Sequence, residues 1–401
     1  MKKKPSRKNS EKNIVIIRKM FQCLLLSFSK NDFMKGKLKI GLVFGGKSGE
    51  HEVSLAGGRS IYNALDKEKY DITLIGIDKK GCWHLGDPKN IWLNPESIKT
   101  IKLNANTPKI TAISKNGKVK LMNLKDGKLF ADIDIFFPKT SGTFGEDGCL
   151  QGFFELLGAA YVGSGVLGSA VGMDKDLMKR VLRHAGIRVA KFYILRRKDL
   201  NGENLSLIAK DLKFPIFAKP CNLGSSVGIS KPKNIKELNK AVKMAFQYDN
   251  KIILEEAIKG REIECAILGN EKPIASVPGE IKLKEGHFYS YHAKYINEEI
   301  AAPTPRADLP VKTIKKIQET AIRVFKVLNC EGMGRVDFFL TESGKLYVNE
   351  INTLPGFTSV SMYPKMFEAS GIPYPELLDK LIHLGMERKK RDDKLKRDYN
   401  T

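Results

Sequence analysis

The chain's 401 residues are ample for two or three domains with real cores, and its 42% hydrophobic content is that of an ordinary soluble globular protein. Six widely spaced cysteines (Cys23, Cys82, Cys149, Cys221, Cys265 and Cys330) form no CxxC pair, which excludes a disulfide framework and a zinc site and fits a reducing cytosol. A formal charge of +24 raises nucleic acid or another anionic surface as a competing class of partner.

Residues 1–37 read as a basic tail, dense in lysine and arginine with only Glu11 and Asp32 opposing them. The apolar run from Met20 to Ser29 is too short to span a bilayer. Lys30 and Asp32 follow it where a signal peptide needs a small-residue cleavage site. The first credible strand begins at Leu38, so either Met34 is the working start or residues 1–33 are a dispensable tail. No membrane span or internal repeat is apparent.

Leu38 to Phe44 reads as a buried strand that enters the turn Gly45-Gly46-Lys47-Ser48-Gly49, and a helix pattern follows through Leu65. Backbone N–H groups converge at such a helix start and favour anions, but both GxGxxG and the Walker spacing are absent. Glu50 suits an ammonium group better than a phosphate, with a helix cap as the competing reading. Another strand covers residues 70–78, and residues 98–130 read as short β segments with turns at Asn116-Gly117 and Asp126-Gly127. Asp132 to Pro138 is an apolar strand that delivers Ser141-Gly142-Thr143-Phe144-Gly145-Glu146-Asp147-Gly148, and Gln151 to Leu157 has helical spacing. To about residue 163 this is an open α/β domain with its chemistry in loops at strand ends.

Lys175 opens a helix and offers a cation. Phe214 to Pro220 is a strand carrying Lys219, followed by Asn222-Leu223-Gly224-Ser225-Ser226-Val227-Gly228 and an expected second strand through Ser230. A flexible glycine–serine loop can fold over phosphates and donate backbone N–H bonds. A plain hairpin is the alternative. Ile252 to Ala257 is a strand edge able to pair with an adenine rim, and Glu262 can accept from ribose hydroxyls.

Gly334-Arg335-Val336-Asp337 and Tyr347-Val348-Asn349-Glu350-Ile351-Asn352 flank a hairpin-like turn, Glu342 to Lys345. Side chains alternate along paired strands, so Glu350 and Asn352 share a face that Asp337 can join. Two carboxylates and an amide oxygen suit Mg²⁺ with substrate phosphates in its remaining positions. Arg335 points to the same face, where negative charge develops in phosphoryl or acyl-phosphate chemistry. A half-exposed hairpin with surface acids is the alternative. The charged run from Arg388 to Arg397 reads as a solvated helix end.

These motifs resemble the ATP-grasp ligases, and within them the D-alanine–D-alanine ligases, from about Leu38 to Leu384. The resemblance rests on GGKSGEHEVSLAGG at 45–58, GEDGCLQG at 145–152, MDK at 173–175 and KPCNLGSSVG at 219–228. It continues with AKY at 293–295, GRVDFFL at 334–340 and NEINTLPGFTSVSM at 349–362. The expected architecture is α/β (α+β): an N-terminal open parallel, Rossmann-like domain at 38–163 and a central ATP-grasp subdomain at 164–258. A C-terminal subdomain with the metal site at 259–385 and a charged tail at 386–401 complete it.

The resemblance implies a cytoplasmic enzyme of peptidoglycan synthesis that joins two D-alanines through an acyl phosphate, as a homodimer and without a specific nucleic-acid partner. ATP is expected at Lys175, Lys219, Glu255 and Glu262, with Ser225 and Ser226 closing over its phosphates. Two Mg²⁺ ions, or Mn²⁺, are expected at Asp337, Glu350 and Asn352. Glu50 would bind the first substrate's ammonium, and Ser361 with the Met362 backbone the second substrate's carboxylate. Arg335 and the backbone near Gly356 would stabilise the tetrahedral intermediate. Lys294 would reach the γ-phosphate from a mobile loop, and Tyr295 would join Glu50 and Ser225 in a network that accompanies amino-acid acceptors. One departure stands out: Ser141 occupies the family's histidine position, after Lys139-Thr140. A serine donates a hydrogen bond but carries no charge. The first subsite is therefore open to weaker D-alanine binding, compensation by Lys139, or another carboxylate–amine ligase with a different first substrate. No helix-turn-helix, zinc finger or aromatic RNA-binding signature supports nucleic-acid recognition.

Overall fold

The computed structural model describes residues 36–200, 202–283 and 301–399; the basic segment before residue 36, Lys294 and Tyr295 lie outside them. Three sheets follow one another along the chain. The first begins with β1 (Leu38–Gly45), α1 (His51–Ala64), β2 (Tyr70–Ile77) and β3 (Trp83–Gly86). A two-stranded ladder of β4 (Trp92–Leu93) and β5 (Lys102–Leu103) intervenes. Then come β6 (Lys109–Lys115), β7 (Lys118–Asn123), β8 (Leu129–Ile133), β9 (Ile135–Lys139), α2 (Cys149–Leu156) and β10 (Ala160–Tyr161). The sheet order is β10-β9-β1-β2-β3-β6-β7-β8.

β10, β9, β1 and β2 pair in parallel, and the remaining strands extend the sheet antiparallel. The change of direction is local chemistry. Asn116 and Gly117 both take left-handed φ (54° and 71°), the geometry of the two-residue turn whose twist matches a hairpin. β1 reads as a continuous apolar run because it lies inside: Ile40, Leu42, Val43 and Phe44 are wholly buried.

The middle of the chain holds α3 (Val166–Met173), α4 (Lys175–His184), β11 (Phe192–Arg196), α5 (Gly202–Leu212), β12 (Ile216–Pro220), α6 (Ile235–Ala245) and β13 (Lys251–Glu256). The strands form an antiparallel sheet ordered β11-β13-β12, with a core of Leu205, Leu212, Leu238 and Val242 from α5 and α6. Asp174 caps α4 by accepting from the Asp176 and Leu177 N–H groups, and Met178 and Leu182 of that helix pack into the core of the last sheet. The second strand expected after the glycine–serine loop is reduced to one bridge between Ala218 and Ser230. Left-handed backbone at Ser225, Ser226 and Gly228, and then Pro232 without an N–H, leave no room for a longer ladder.

The last sheet comprises β14 (Arg261–Gly269), β15 (Ile274–Ala275), β16 (Gly279–Leu283), β17 (Ala301–Thr304), β18 (Gly332–Leu340) and β19 (Leu346–Asn352). Its main path is β17-β16-β14-β18-β19, all antiparallel. α7 (Val311–Val327) covers one face with Ile317, Ala321, Val324 and Phe325. α8 (Met362–Glu368) and α9 (Tyr374–Asp392) join residues of β14 and β18 to the core of the first sheet. α9 packs across β9 and β10 and against α1.

The expectation of a solvated charged end from Arg388 is corrected here. α9 continues to Asp392, and Arg388 is buried, donating to the carbonyls of Tyr161 (3.0 Å) and Gly163 with its guanidinium 4.1 Å from the Tyr161 ring centre. Those carbonyls end a short edge strand and need donors, which a long cationic side chain can bring along an apolar wall.

Candidate active site

The turn after β1 aims its first acidic residue away from its own helix. Gly45 and Gly46 have φ of 90° and 113°, and the Gly46 N–H donates to the Ile77 carbonyl at 2.8 Å. A Cβ at Gly45 would lie 2.3 Å from that oxygen, so the turn requires glycine. Glu50 precedes α1 but makes no capping bond; its carboxylate accepts a hydrogen bond from Ser225. The helix-cap reading of Glu50 therefore fails.

β9 ends in a buried polar cluster. Ser141 is pinned through its backbone, the N–H donating to Ser54 Oγ (2.7 Å) and the carbonyl accepting from Ser48 Oγ (2.5 Å). Lys139, with no exposed surface, donates to Ser141 Oγ at 2.6 Å. Burial lowers the lysine from its ordinary range, and Glu146 and Glu50 oppose that shift. Burial and the Glu50 carboxylate push Glu146 up to about 8. Gln151 locks the loop, accepting from the Gly148 N–H (3.1 Å) and donating to the Gly145 carbonyl (2.9 Å).

A cavity between the central and last sheets is lined by Lys175, Lys219, Ser225, Ser226, Glu262 and Glu350. The Lys175 ammonium donates to the Leu223 carbonyl at 2.7 Å and stands 3.5 Å from Glu350 Oε2. Lys219 reaches Glu255 Oε2 at 2.6 Å and Asn349 Oδ1 at 3.3 Å. Glu255 does not line the cavity. It sits behind Lys219, with its other oxygen 2.8 Å from the buried Lys179. Burial opposes its ionisation, but Lys179 and Lys219 prevail and bring it down to about 2. Its two oxygens thus tie Lys219 to Lys179.

The β18–β19 register sets Asp337 opposite Glu350 and Arg335 opposite Asn352, with an irregularity after Asp337. Bulges of this kind re-aim side chains beside active sites. Arg335 grips Asp337 through two bonds of 2.7 Å and stands 3.4 Å from Glu264. With Asn352 oriented to donate its amide to Asp337 Oδ2 at 3.0 Å, the amide oxygen is turned the other way. Among the described residues, no three His, Cys, Asp or Glu side chains form a metal cage by themselves. Two carboxylates and an amide oxygen beside a cavity nevertheless fit Mg²⁺, which binds one or two carboxylates and completes its octahedron with phosphates and water.

Beyond β19, Ser361 Oγ accepts from the Thr358 N–H (2.9 Å) and lies 2.8 Å from Thr358 Oγ1. A Cβ on Gly356 would fall 2.5 Å from that hydroxyl. The Met362 side chain is buried in the core, so only its backbone is available to a ligand. Lys294 and Tyr295 lie outside the described residues.

Sequence reasoning missed Lys179, Asn349 and Glu146 as members of the site. Lys179 lies one helical turn beyond Lys175, a spacing that places both on one face. Asn349 adjoins Glu350, and Glu146 stands inside the glycine-rich loop already singled out.

Two family models match the chain: D-ala D-ala ligase N-terminus over residues 39–164 and D-ala D-ala ligase C-terminus over residues 181–383. The D-alanine–D-alanine ligase of Oceanobacillus iheyensis is 50% identical over 360 residues, covering 90% of this chain and 98% of that protein. The structure of the D-alanine–D-alanine ligase from Coxiella burnetii superposes with a TM-score of 0.77 at 42% identity, covering 89% of this chain and 96% of that one. The Bacillus anthracis D-alanine–D-alanine ligase, solved in complex with ATP, gives a TM-score of 0.66 at 30% identity and covers 89% and 100% of the two chains.

Proposed function

The chain belongs to the D-alanine–D-alanine ligase family, and we propose how its residues join two D-alanines into D-alanyl-D-alanine with ATP. The observation that carries the reading is the cavity where Lys175, Lys219 and the serine loop face Glu350 and Asp337 across two sheets. Cations and loop N–H groups on one wall and oxygen ligands on the other are what a nucleotide triphosphate and its metal need.

Lys175 and Lys219 would neutralise ATP phosphates, with Glu255 and Lys179 holding Lys219 in place. Ser225 and Ser226 would cover the phosphates, and Glu262 would accept from the ribose. Asp337, Glu350 and Asn352 would hold Mg²⁺, or Mn²⁺, as two ions. When bound, the metal supplies charge stabilisation on the transferring phosphoryl oxygens.

A carboxylate oxygen of the first D-alanine attacks the γ-phosphorus, forming an O–P bond as the bond to ADP breaks. The amine of the second D-alanine then attacks the acyl carbon and loses a proton, and the C–O bond breaks as phosphate departs with the bridging oxygen. Arg335 and the backbone at Gly356 would stabilise the oxyanion between these events. Glu50 would hold the first ammonium, while Ser361 and the Met362 backbone would hold the second carboxylate. Exclusion of water protects the acyl phosphate from hydrolysis.

We place the enzyme in the cytoplasm, where ATP is supplied, as a homodimer serving peptidoglycan synthesis and cell shape. Among the described residues, no helix is long and apolar enough to cross a membrane. ATP-dependent phosphate release with D-alanine, followed by mass analysis of the product, tests the reaction. D-alanyl-D-alanine lost in Glu350→Ala supports it; no dipeptide from the unmodified chain overturns it. The mass of the protein in solution tests the dimer.

A further inference from the structure

Lys251, the first residue of β13, is a buried lysine that the reaction as described leaves unused. Its ammonium lies 2.6 Å from Asp174 Oδ2 and 3.2 Å from Asp176 Oδ2, two acids that are themselves buried and that flank Lys175. The other Asp174 oxygen caps α4, accepting from the Asp176 and Leu177 N–H groups at 3.0 Å each. Arg180 bonds Asp176 from the solvent side. Burial opposes the charge on Lys251, but the two acids prevail and hold its ammonium above the ordinary lysine range.

The backbone makes the same connection a second time. The Lys175 N–H, which as a first-turn donor has no partner within its own helix, donates to the Cys221 carbonyl at 3.1 Å. The Cys221 N–H in turn donates to the Lys251 carbonyl at 3.0 Å. Cys221 follows directly on β12, two residues after Lys219, and Lys219 pairs with Ile253, two residues after Lys251. Asp249 closes the corner, accepting from the Asn222 N–H (2.7 Å) and the Lys251 N–H (3.1 Å). The segments that carry Lys175 and Lys219 therefore meet at Lys251. It stands behind the cavity that those two lysines line and is not part of the lining itself.

Resting on the ligase reading above, we propose that Lys251 is a positioning residue for ATP, which holds Lys175 and Lys219 at a fixed separation and cancels the acids beside them. The two parts of this role answer one conflict. Carboxylates favour the start of a helix, where Asp174 satisfies orphan N–H groups. The same carboxylates stand on either side of a lysine that faces an anion. Left uncompensated, they would draw the Lys175 ammonium toward themselves and repel a triphosphate. A cation buried between them keeps the cap and leaves the Lys175 charge to the ligand.

The test compares the unmodified chain with Lys251→Met, Asp176→Asn and the double variant Lys251→Met/Asp176→Asn. Two readouts are used: ADP with Mg²⁺ titrated in the absence of D-alanine, and steady-state phosphate release with ATP and D-alanine varied in turn. Lys251→Met is expected to weaken ADP and raise the KM for ATP by about 10- to 100-fold, the range of a lost hydrogen bond to a charged group, with the D-alanine dependence at saturating ATP unchanged. Asp176→Asn, added to Lys251→Met, should recover part of the loss, because one uncompensated acid is removed. A purely structural lysine would lower Tm while leaving ADP affinity intact, and that result overturns the proposal. Equal losses for ATP and D-alanine, or no recovery in the double variant, overturn it as well. If Lys251→Met does not fold, the double variant is set against Asp176→Asn alone: it still lacks the bond to Asp174, so its KM for ATP must be the higher, and equality overturns the proposal. Absence of D-alanyl-D-alanine from the unmodified chain overturns the ligase reading instead, and the ADP titration is read without any acceptor, so the two failures are distinct.

Discussion

Ser225 donates a hydrogen bond to Glu50, a residue 175 positions earlier that sits at the head of α1. This bond ties the glycine–serine loop of the central sheet to the first domain. The approach is close enough that a Cβ on Gly224 would fall 2.6 Å from Glu50 Oε2. Ser225 and Ser226 hold left-handed φ of 49° and 60°, a conformation that surrounding contacts must maintain. Ser225→Ala is expected to lower kcat/KM about 10- to 100-fold, the worth of one hydrogen bond to a charged group. Steady-state phosphate release checks it, with thermal unfolding as the control for fold.

Glu350→Gln removes one of the two facing carboxylates while keeping side-chain volume. Loss of one electrostatic stabiliser of this kind costs about 100- to 1,000-fold in rate. Turnover across a Mg²⁺ titration should therefore fall by that factor and require more metal for its half-maximum. The side chain is half-buried rather than in the core, so Tm should stay nearly unchanged.

Glu255 predicts an acid-sensitive element. Its carboxyl lies at about 2 in the folded protein against an ordinary 4.5, so between these pH values the unfolded chain binds more protons. Stability from this group is complete above pH 4.5 and is lost as pH falls toward 2. Glu255→Gln should flatten that part of the stability curve. At neutral pH it should cost about 3–5 kcal/mol, because Lys179 and Lys219 are left facing each other without a counter-charge. Urea unfolding across pH checks both statements.

Two glycines close together in sequence should respond oppositely to alanine. A Cβ at Gly145 would lie 2.1 Å from the Thr140 carbonyl oxygen, so Gly145→Ala must move the loop that carries Ser141 and Glu146. A loss of about 1–3 kcal/mol is expected, together with weaker first-substrate binding. Gly152 lies inside α2 with open space around its position, so Gly152→Ala should raise stability by about 0.5–1 kcal/mol. Paired denaturation curves give the sign of each.

Features governed by neighbouring residues were legible in the sequence. Asn116-Gly117 specifies a hairpin by its backbone preference alone, and alternation along residues 347–352 places Glu350 and Asn352 on one face before the partner strand is known. Features governed by distant partners were not. Lys179 resembles any helix-surface lysine until Glu255 arrives from β13 to bury it. Arg388 belongs to a charged run that a local reading sends to solvent, yet carbonyls at the end of β10 draw it inside. The strand expected after the serine loop failed for a local reason, since left-handed backbone within the loop carries no pattern of apolar residues.

The return of α9 to the first sheet has a consequence for biosynthesis. A Cβ on Gly385 would fall 2.8 Å from Ile135 Cδ1 and 2.8 Å from the Tyr161 carbonyl oxygen, so helix and sheet meet here without intervening atoms. The ribosome completes β10 some 200 residues before it delivers α9, a delay of roughly 10–40 s at about 5–20 residues per second. Throughout that interval the nascent first domain carries an uncovered apolar edge at β9 and β10. The last helix to emerge closes it, which makes this stage of translation the one at which holdase chaperones have a binding surface and premature termination leaves an aggregation-prone fragment.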